Sequence, residues 1–284
     1  MYLVFMDGCE VPAPARSGLG AIRAIGGILV PEGEVAGFDS DLRRIRREAG
    51  LAPGERLDWS TDGRQRGGCQ VQPANDRDRR LHVHTTVLAA AMRRDVRSVV
   101  VVADQDVAGR DDVVRTFLGG VAAYLQDRDE IAVVVADPVD EDLTSAARDL
   151  AEVRPAEGPY PAETRIVLPV LSAPARQVPH LQVANLVVGA TAAVVAGQPL
   201  GAPLAPLLSR LMARRTAGGM RSPQSTAGGV GLVLEPPRYN LLNWAFGERW
   251  HYDTEQRQLV QLPHRDWDYA RSDGLPTRPH QTVA

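Results

Sequence analysis

Three aspartates stand directly after apolar, β-prone runs. Asp7 follows Tyr-Leu-Val-Phe-Met, Asp104 follows Val-Val-Val-Val-Ala and Asp137 follows Ala-Val-Val-Val-Ala. In open α/β sheets ligands bind beyond the carboxyl ends of the strands, which is where these acids are expected. Carboxylates gathered there repel one another unless a cation neutralises them, and hard oxygen ligands suit Mg²⁺ or Mn²⁺. Two such ions about 4 Å apart can activate a water and stabilise the leaving oxygen of a phosphodiester. Aspartate also ends strands because it favours turns and helix N-caps, so each acid alone has an ordinary explanation. The chemical reading rests on the set.

The elements that must position these acids follow from periodicity. Residues 2–6 read as a strand delivering Asp7, with a loop from Gly8 to Gly18 and a second strand from about Ala21 to Val30. Val35, Phe38, Leu42 and Ile45 recur at helical spacing, and Gly50 is placed to end that helix. Glu55 to Ser60 reads as a short strand, and Thr61 to Arg79 as a polar loop. Helices over about 80–94, 111–126 and 141–153 alternate with strands over 98–103, 131–136 and 165–170. The valine runs of the first two of these strands imply burial on both faces. Helices over 178–196 and 204–214 come next, with small strands or a flap at 231–234, 244–246 and 250–252. The alternation predicts an α/β fold, a central mixed sheet flanked by helices, in one domain over 1–262 with a polar tail over 263–284.

Composition sets limits. The chain has 284 residues, enough for a substantial core, and a formal net charge of −3, so no overall cationic field draws it to nucleic acid. All 32 of its basic residues are arginine, which reads as coding bias first and as phosphate recognition second. Two cysteines, Cys9 and Cys69, give no disulfide framework and point to a reducing, cytoplasmic setting. The N-terminal run lacks a basic region, so it does not read as a signal peptide. Leu181 to Leu208 is interrupted by Asn185, Gln198 and prolines, and reads as a buried helix rather than a membrane span.

Five short motifs stand in a fixed order: Asp7-Gly8-Cys9-Glu10, Ile25-Gly26-Gly27-Ile28, Arg56-Leu57-Asp58-Trp59-Ser60, Val135-Ala136-Asp137 and Leu181-Gln182-Val183-Ala184-Asn185. Their order and spacing, over residues 1 to about 250, resemble the DUF-3800 family, domains with a ribonuclease-H-like fold. The resemblance implies a ribonuclease-H-like core with a C-terminal flap and a Mg²⁺ or Mn²⁺ site. Where that family has Asp-Glu, an acid in its short strand and a helical Asp, this chain has Gly8, Arg56 and Asn185. Asp58 shares a strand face with position 56 and can stand in for that acid, whereas Glu55 points the other way. The expected metal ligands are therefore Asp7, Asp58 and Asp137. Asn185 joins them as a catalytic-site residue that contributes oxygen but no charge. Asp104 drops to a supporting or structural role.

Other residues carry weaker signals. His82 and His84 are about 200° apart on a helix, cannot grip one ion together, and read as surface residues. His180 and His251 are general-base candidates with nothing to select either. Gln182 and Asn185 share a helical face and read either as buried amides bonded to backbone or as site lining. Cys9 has no nucleophile signature around it. The arginines at 43, 44, 46 and 47 read as a solvated helix face, whereas Arg210, Arg214, Arg215 and Arg221 are the better candidates for phosphate contacts. Tyr239, Trp244, Trp250 and Tyr252 read as anchors of the flap before they read as base-stacking platforms. The resulting expectation is a divalent-metal-dependent nuclease or phosphodiesterase acting on RNA or DNA. Its alternative is a catalytically impaired binding or scaffold protein on the same fold.

Overall fold

The computed structural model describes residues 1–16, 18–51, 57, 59, 75–137, 145, 165–167, 170–217, 224–254, 256 and 258–262. A six-stranded mixed sheet runs through the centre. Its strands are β1 (Tyr2–Val11), β2 (Ile22–Pro31), β3 (Arg97–Asp104), β4 (Ala132–Ala136), β5 (Leu171–Ser172) and, later in the chain, β8 (Leu232–Glu235). Their spatial order is β5-β4-β1-β2-β3-β8. β1, β2 and β3 form an antiparallel meander, β4 joins β1 in parallel, β5 joins β4 in parallel, and β8 joins β3 in parallel.

Strand alternation divides the core into two layers. Val4, Met6, Val99, Val101 and Val134 face the helix α3 (Arg110–Gln126), which presents Val113, Phe117, Val121 and Leu125. Phe5, Ile28, Val100 and Val102 face the opposite layer. That layer is built from α1 (Val35–Glu48), α2 (Asn75–Arg93), α4 (Pro179–Val195), α5 (Ala205–Leu211) and α6 (Tyr239–Phe246). α4 is apolar on nearly every side and buried along almost its whole length, because it lies between the sheet and the outer helices. Its C-terminal carbonyls are satisfied from a distance in sequence. Arg16 donates from Nε to Val195 O (2.9 Å) and from Nη2 to Val194 O (3.1 Å), and its backbone N–H donates to Ala196 O. A cation at a helix C-terminus is favoured by the peptide dipoles.

The glycine pair of β2 is explained by crowding. A Cβ on Gly27 would stand 2.1 Å from the Phe5 carbonyl oxygen, and one on Gly26 would stand 2.6 Å from that of Val99. β1 and β3 therefore approach β2 as closely as they do only because both positions lack a side chain.

Two small hairpins complete the molecule: β6 (Arg215–Ala217) with β7 (Gln224–Thr226), and β9 (Trp250–Asp253) with β10 (Gln258–Gln261). Glu248, 2% exposed, ties them to the helical layer. Its carboxylate accepts two bonds from the Arg214 guanidinium (2.8 and 3.0 Å) and one from the Ala227 N–H (3.2 Å). The Thr226 hydroxyl lies 3.1 Å from it, between Glu248 and the Trp250 carbonyl. A buried carboxylate is tolerated because every lone pair is met.

The general expectation of a mixed central sheet flanked by helices is met, and several boundaries differ. β1 continues to Val11, so Asp7 lies within the strand and the expected loop begins later. Residues 239–246 form a helix where 244–246 reads as a small strand or part of a flap, because Leu241, Leu242 and Phe246 are all needed in one helical core layer. The helix expected over 204–214 is shorter, and Arg215 already belongs to β6. Of the strand expected over 165–170, residues 165–167 and 170 are described; Ile166 makes an isolated bridge to Ala132, and the paired strand is Leu171–Ser172. Of the helix expected over 141–153 only residue 145 is described, and the tail over 263–284 lies outside the described residues. Glu248→Gln should cost about 2–3 kcal/mol, less than the roughly 3–5 kcal/mol typical of a fully buried broken pair because Arg214 retains 35% side-chain exposure. Thermal unfolding measures it, and a midpoint equal to that of the wild type would remove Glu248 from this role.

Candidate functional site

The parallel register of β1 and β4 ends at Met6 opposite Ala136, so Asp7 and Asp137 are the next residues on two neighbouring strands. Adjacent strands lie about 5 Å apart, which sets the spacing of the two backbones. By alternation both acids leave the sheet on the side of Phe5 and Val135, the face covered by α4. The chain departs from β1 toward β2 on one side, and β4 has β5 on its other side. The two acids therefore stand at a switch point of the topology, where an open sheet forms a crevice. Asp7 Oδ1 accepts the Gly8 N–H (2.7 Å), and Asp137 Oδ2 accepts the Ala175 N–H (3.2 Å).

Asp104 is not part of this pair. It lies opposite Ile22, which lies opposite Val11, whereas Asp7 lies opposite Gly26. Four residues along the strands and two strand spacings across put it roughly 16 Å from Asp7. There it accepts the Asp106 N–H and faces Arg238 at 3.7 Å. Asp58, with Arg56 and Glu55, lies outside the described residues. Among the described residues no group of three or more His, Cys, Asp or Glu side chains stands close enough to hold a metal. Asp7 and Asp137 thus supply two carboxylates of one face and do not complete a ligand set by themselves.

Asn185 is engaged with backbone. Its Oδ1 accepts the Trp59 N–H (2.9 Å), and Gln182 Oε1, one turn earlier on α4, accepts the Leu57 N–H (3.1 Å). N–H groups two residues apart point the same way in an extended chain, and amides three apart share a helix face. The two amides of α4 therefore accept the backbone N–H groups of Leu57 and Trp59. Gly189 continues that face. A Cβ there would lie 2.4 Å from Trp59 Cδ1, so glycine is required for the indole to seat.

The thiol of Cys9 is pushed up to about 12 by desolvation, with Asp7 and Glu10 adding to the effect. It stays protonated at neutral pH and is no nucleophile. His82 is exposed, but His84 is 7% exposed and packs 5.5 Å from the Trp59 ring, which corrects the surface expectation for that residue. Its pKa falls to about 4, chiefly by desolvation and further by Arg80. His180 is held between Phe5 (4.8 Å) and Phe38 (5.4 Å), and desolvation lowers its pKa more than Asp39 restores it. His251 packs edge-on to Tyr239, and desolvation brings it down to about 4.

The arginine cluster is largely spent within the fold. Arg214 is bound to Glu248, and Arg215 pairs with Asp127 at 3.0 Å while lying over the Tyr252 ring at 4.2 Å. Arg210 is exposed, and Arg221 lies outside the described residues. No helix among the described residues is long and apolar enough to cross a membrane. Compared with protein-family models, curated proteins and solved structures, the chain matches none.

Sequence reasoning did not single out Ala175 or Glu248. Ala175 acts through its peptide group, which leaves no trace in residue type, and a lone Glu between Gly247 and Arg249 reads as surface.

His84 gives the site region a pH dependence. Its pKa is lower in the folded chain than the ordinary 6.5, so the unfolded chain binds the extra proton first and stability falls as pH drops from about 6.5 toward 4. The contribution is roughly 3 kcal/mol at most. His84→Phe should flatten that part of the stability–pH curve relative to wild type while leaving the curve above pH 7 parallel. Denaturant unfolding between pH 4 and 8 checks it, and identical slopes in the two proteins would refute it.

Proposed function

We propose that this chain is a divalent-metal-dependent nuclease or phosphodiesterase acting on RNA or DNA, a divergent DUF-3800-type protein with a ribonuclease-H-like core working in the cytoplasm. The observation that carries the reading is the placement of Asp7 and Asp137 side by side, on one sheet face, at the switch point between β1 and β4. An antiparallel meander extended by parallel strands beside its first strand supports the fold assignment. So does the glycine pair of β2 directly opposite Met6 and Asp7.

In this reading Asp7 and Asp137, with Asp58 as the third carboxylate, hold Mg²⁺ or Mn²⁺. Bound there, the cation would supply charge neutralisation and a polarised water for phosphodiester hydrolysis. The chain's own contribution is orientation. The Gly8 and Ala175 N–H groups each fix one oxygen of a carboxylate, and α4 covers the same face.

Asn185 favours a second reading, a binding or scaffold protein with an impaired site. Its side chain carries no negative charge, and its oxygen already accepts the Trp59 N–H. Arg214 and Arg215, occupied by Glu248 and Asp127, add little cationic surface for nucleic acid.

The two readings separate in one assay. Purified protein with Mn²⁺ should cleave single-stranded or duplex RNA or DNA. Asp7→Asn and Asp137→Asn should each lower the rate by at least about 100-fold, beyond the usual loss from removing an outer partner alone. If the wild type cuts none of these substrates with Mn²⁺ or Mg²⁺ yet binds one of them, the scaffold reading replaces the enzyme.

A further inference from the structure

Gln182 is 3% exposed, and each end of its amide is bonded. Oε1 accepts from the Leu57 N–H (3.1 Å) and from Arg46 Nη1 (3.0 Å), and Nε2 donates to the Ala175 carbonyl oxygen (2.8 Å). Ala175, itself 5% exposed, lies in the turn between β5 and α4, where Gln177 and Val178 donate back to the Pro174 carbonyl. The N–H of the same residue donates to Asp137 Oδ2. A continuous run of hydrogen bonds therefore joins Arg46 of α1, Gln182 of α4, Ala175 and the carboxylate of Asp137. Hydrogen bonds in such chains polarise and orient one another, and a buried amide with all its bonds made has one rotamer.

We propose that Gln182 is a positioning residue for Asp137, acting through Ala175. The amide pins the Ala175 carbonyl, which fixes the turn and aims the Ala175 N–H at one carboxylate oxygen. The Ala175 N–H meets Asp137 Oδ2 just past the end of β4, so the turn holds that carboxylate oxygen. Arg46 anchors the far end by fixing which way round the amide stands, because a guanidinium can only donate and must meet the amide oxygen. The proposal rests on the metal-site reading only for its effect on cation binding. The relay itself does not.

Two readouts keep these apart. Amide hydrogen exchange followed by NMR reports the Ala175 N–H directly, and Mn²⁺ calorimetry reports the site. In Gln182→Met, which keeps length and volume, Ala175 exchange should speed up at least about tenfold, toward the rate seen in Asp137→Ala, where the acceptor is gone. Mn²⁺ affinity should fall by about 10- to 100-fold, the usual consequence of losing a partner that orients a ligand. Val194→Ala, a packing change on the same helix, lowers stability without touching the relay and should leave both readouts at the wild-type value. Gln182→Glu keeps the acceptor for Leu57 and Arg46 but loses the donor, and should behave as Gln182→Met at Ala175. Unchanged Ala175 exchange in both Gln182 variants overturns the proposal, whatever Mn²⁺ does. Equal effects in Val194→Ala overturn it too, by showing a general loosening. A wild-type chain that binds no Mn²⁺ overturns the metal-site reading instead, and leaves the exchange result to decide the role of Gln182.

Discussion

The parallel pairing of β1 with β4 is the constraint on which the candidate site depends. Once Met6 stands opposite Ala136, the two-residue period of the strands leaves Asp7 and Asp137 no choice of face, and the strand spacing leaves them little choice of distance. Two carboxylates leaving neighbouring strands on one face repel one another. A fold that holds such a pair must offset that repulsion with donors or a cation, and two backbone N–H groups are already directed at these carboxylates. A one-residue slip of β4 would send Asp137 to the α3 side and dissolve the arrangement.

The rest of the molecule serves this pairing in layers. The glycine pair of β2 lets β1 and β3 close up, so the long β1–β2 hairpin remains flat against α4. α4 is apolar apart from a few polar side chains, two of which bond to the backbone of a neighbouring segment. Gln182 and Asn185 receive Leu57 and Trp59, and Gly189 receives the indole. Arg16 closes the far end of the helix. The Glu248 clamp lies on the other side of the helical layer and fastens the C-terminal hairpins, so it supports the fold without touching the acids.

Much of this was legible in the sequence, for physical reasons that can be traced. The valine runs at 98–102 and 133–135 announce strands buried on both faces, and the 3.6-residue period of Val35 to Ile45 announces α1. Asp7 and Asp137 were visible because an acid after an apolar run is conspicuous. Asp104 was equally conspicuous, and only register separates it from them, since pairing partners are not written in local composition. Helix α6 was missed because Trp244-Ala-Phe246 is as β-prone as it is helical, and the deciding contacts come from α5 and the sheet. His84 was read as surface because α2 is strongly charged around it, while the Trp59 that buries it lies far away in the chain. Backbone donors such as the Ala175 N–H leave no residue-type signal at all.

The central claim is that Asp7 and Asp137 share one cation. Crystals soaked in Mn²⁺ and measured at the manganese absorption edge test it most directly. An anomalous peak is expected between the two carboxylates, with an oxygen of each within about 2.0–2.6 Å of the ion. A protein with no peak there, or with its peak elsewhere in the chain, would contradict it.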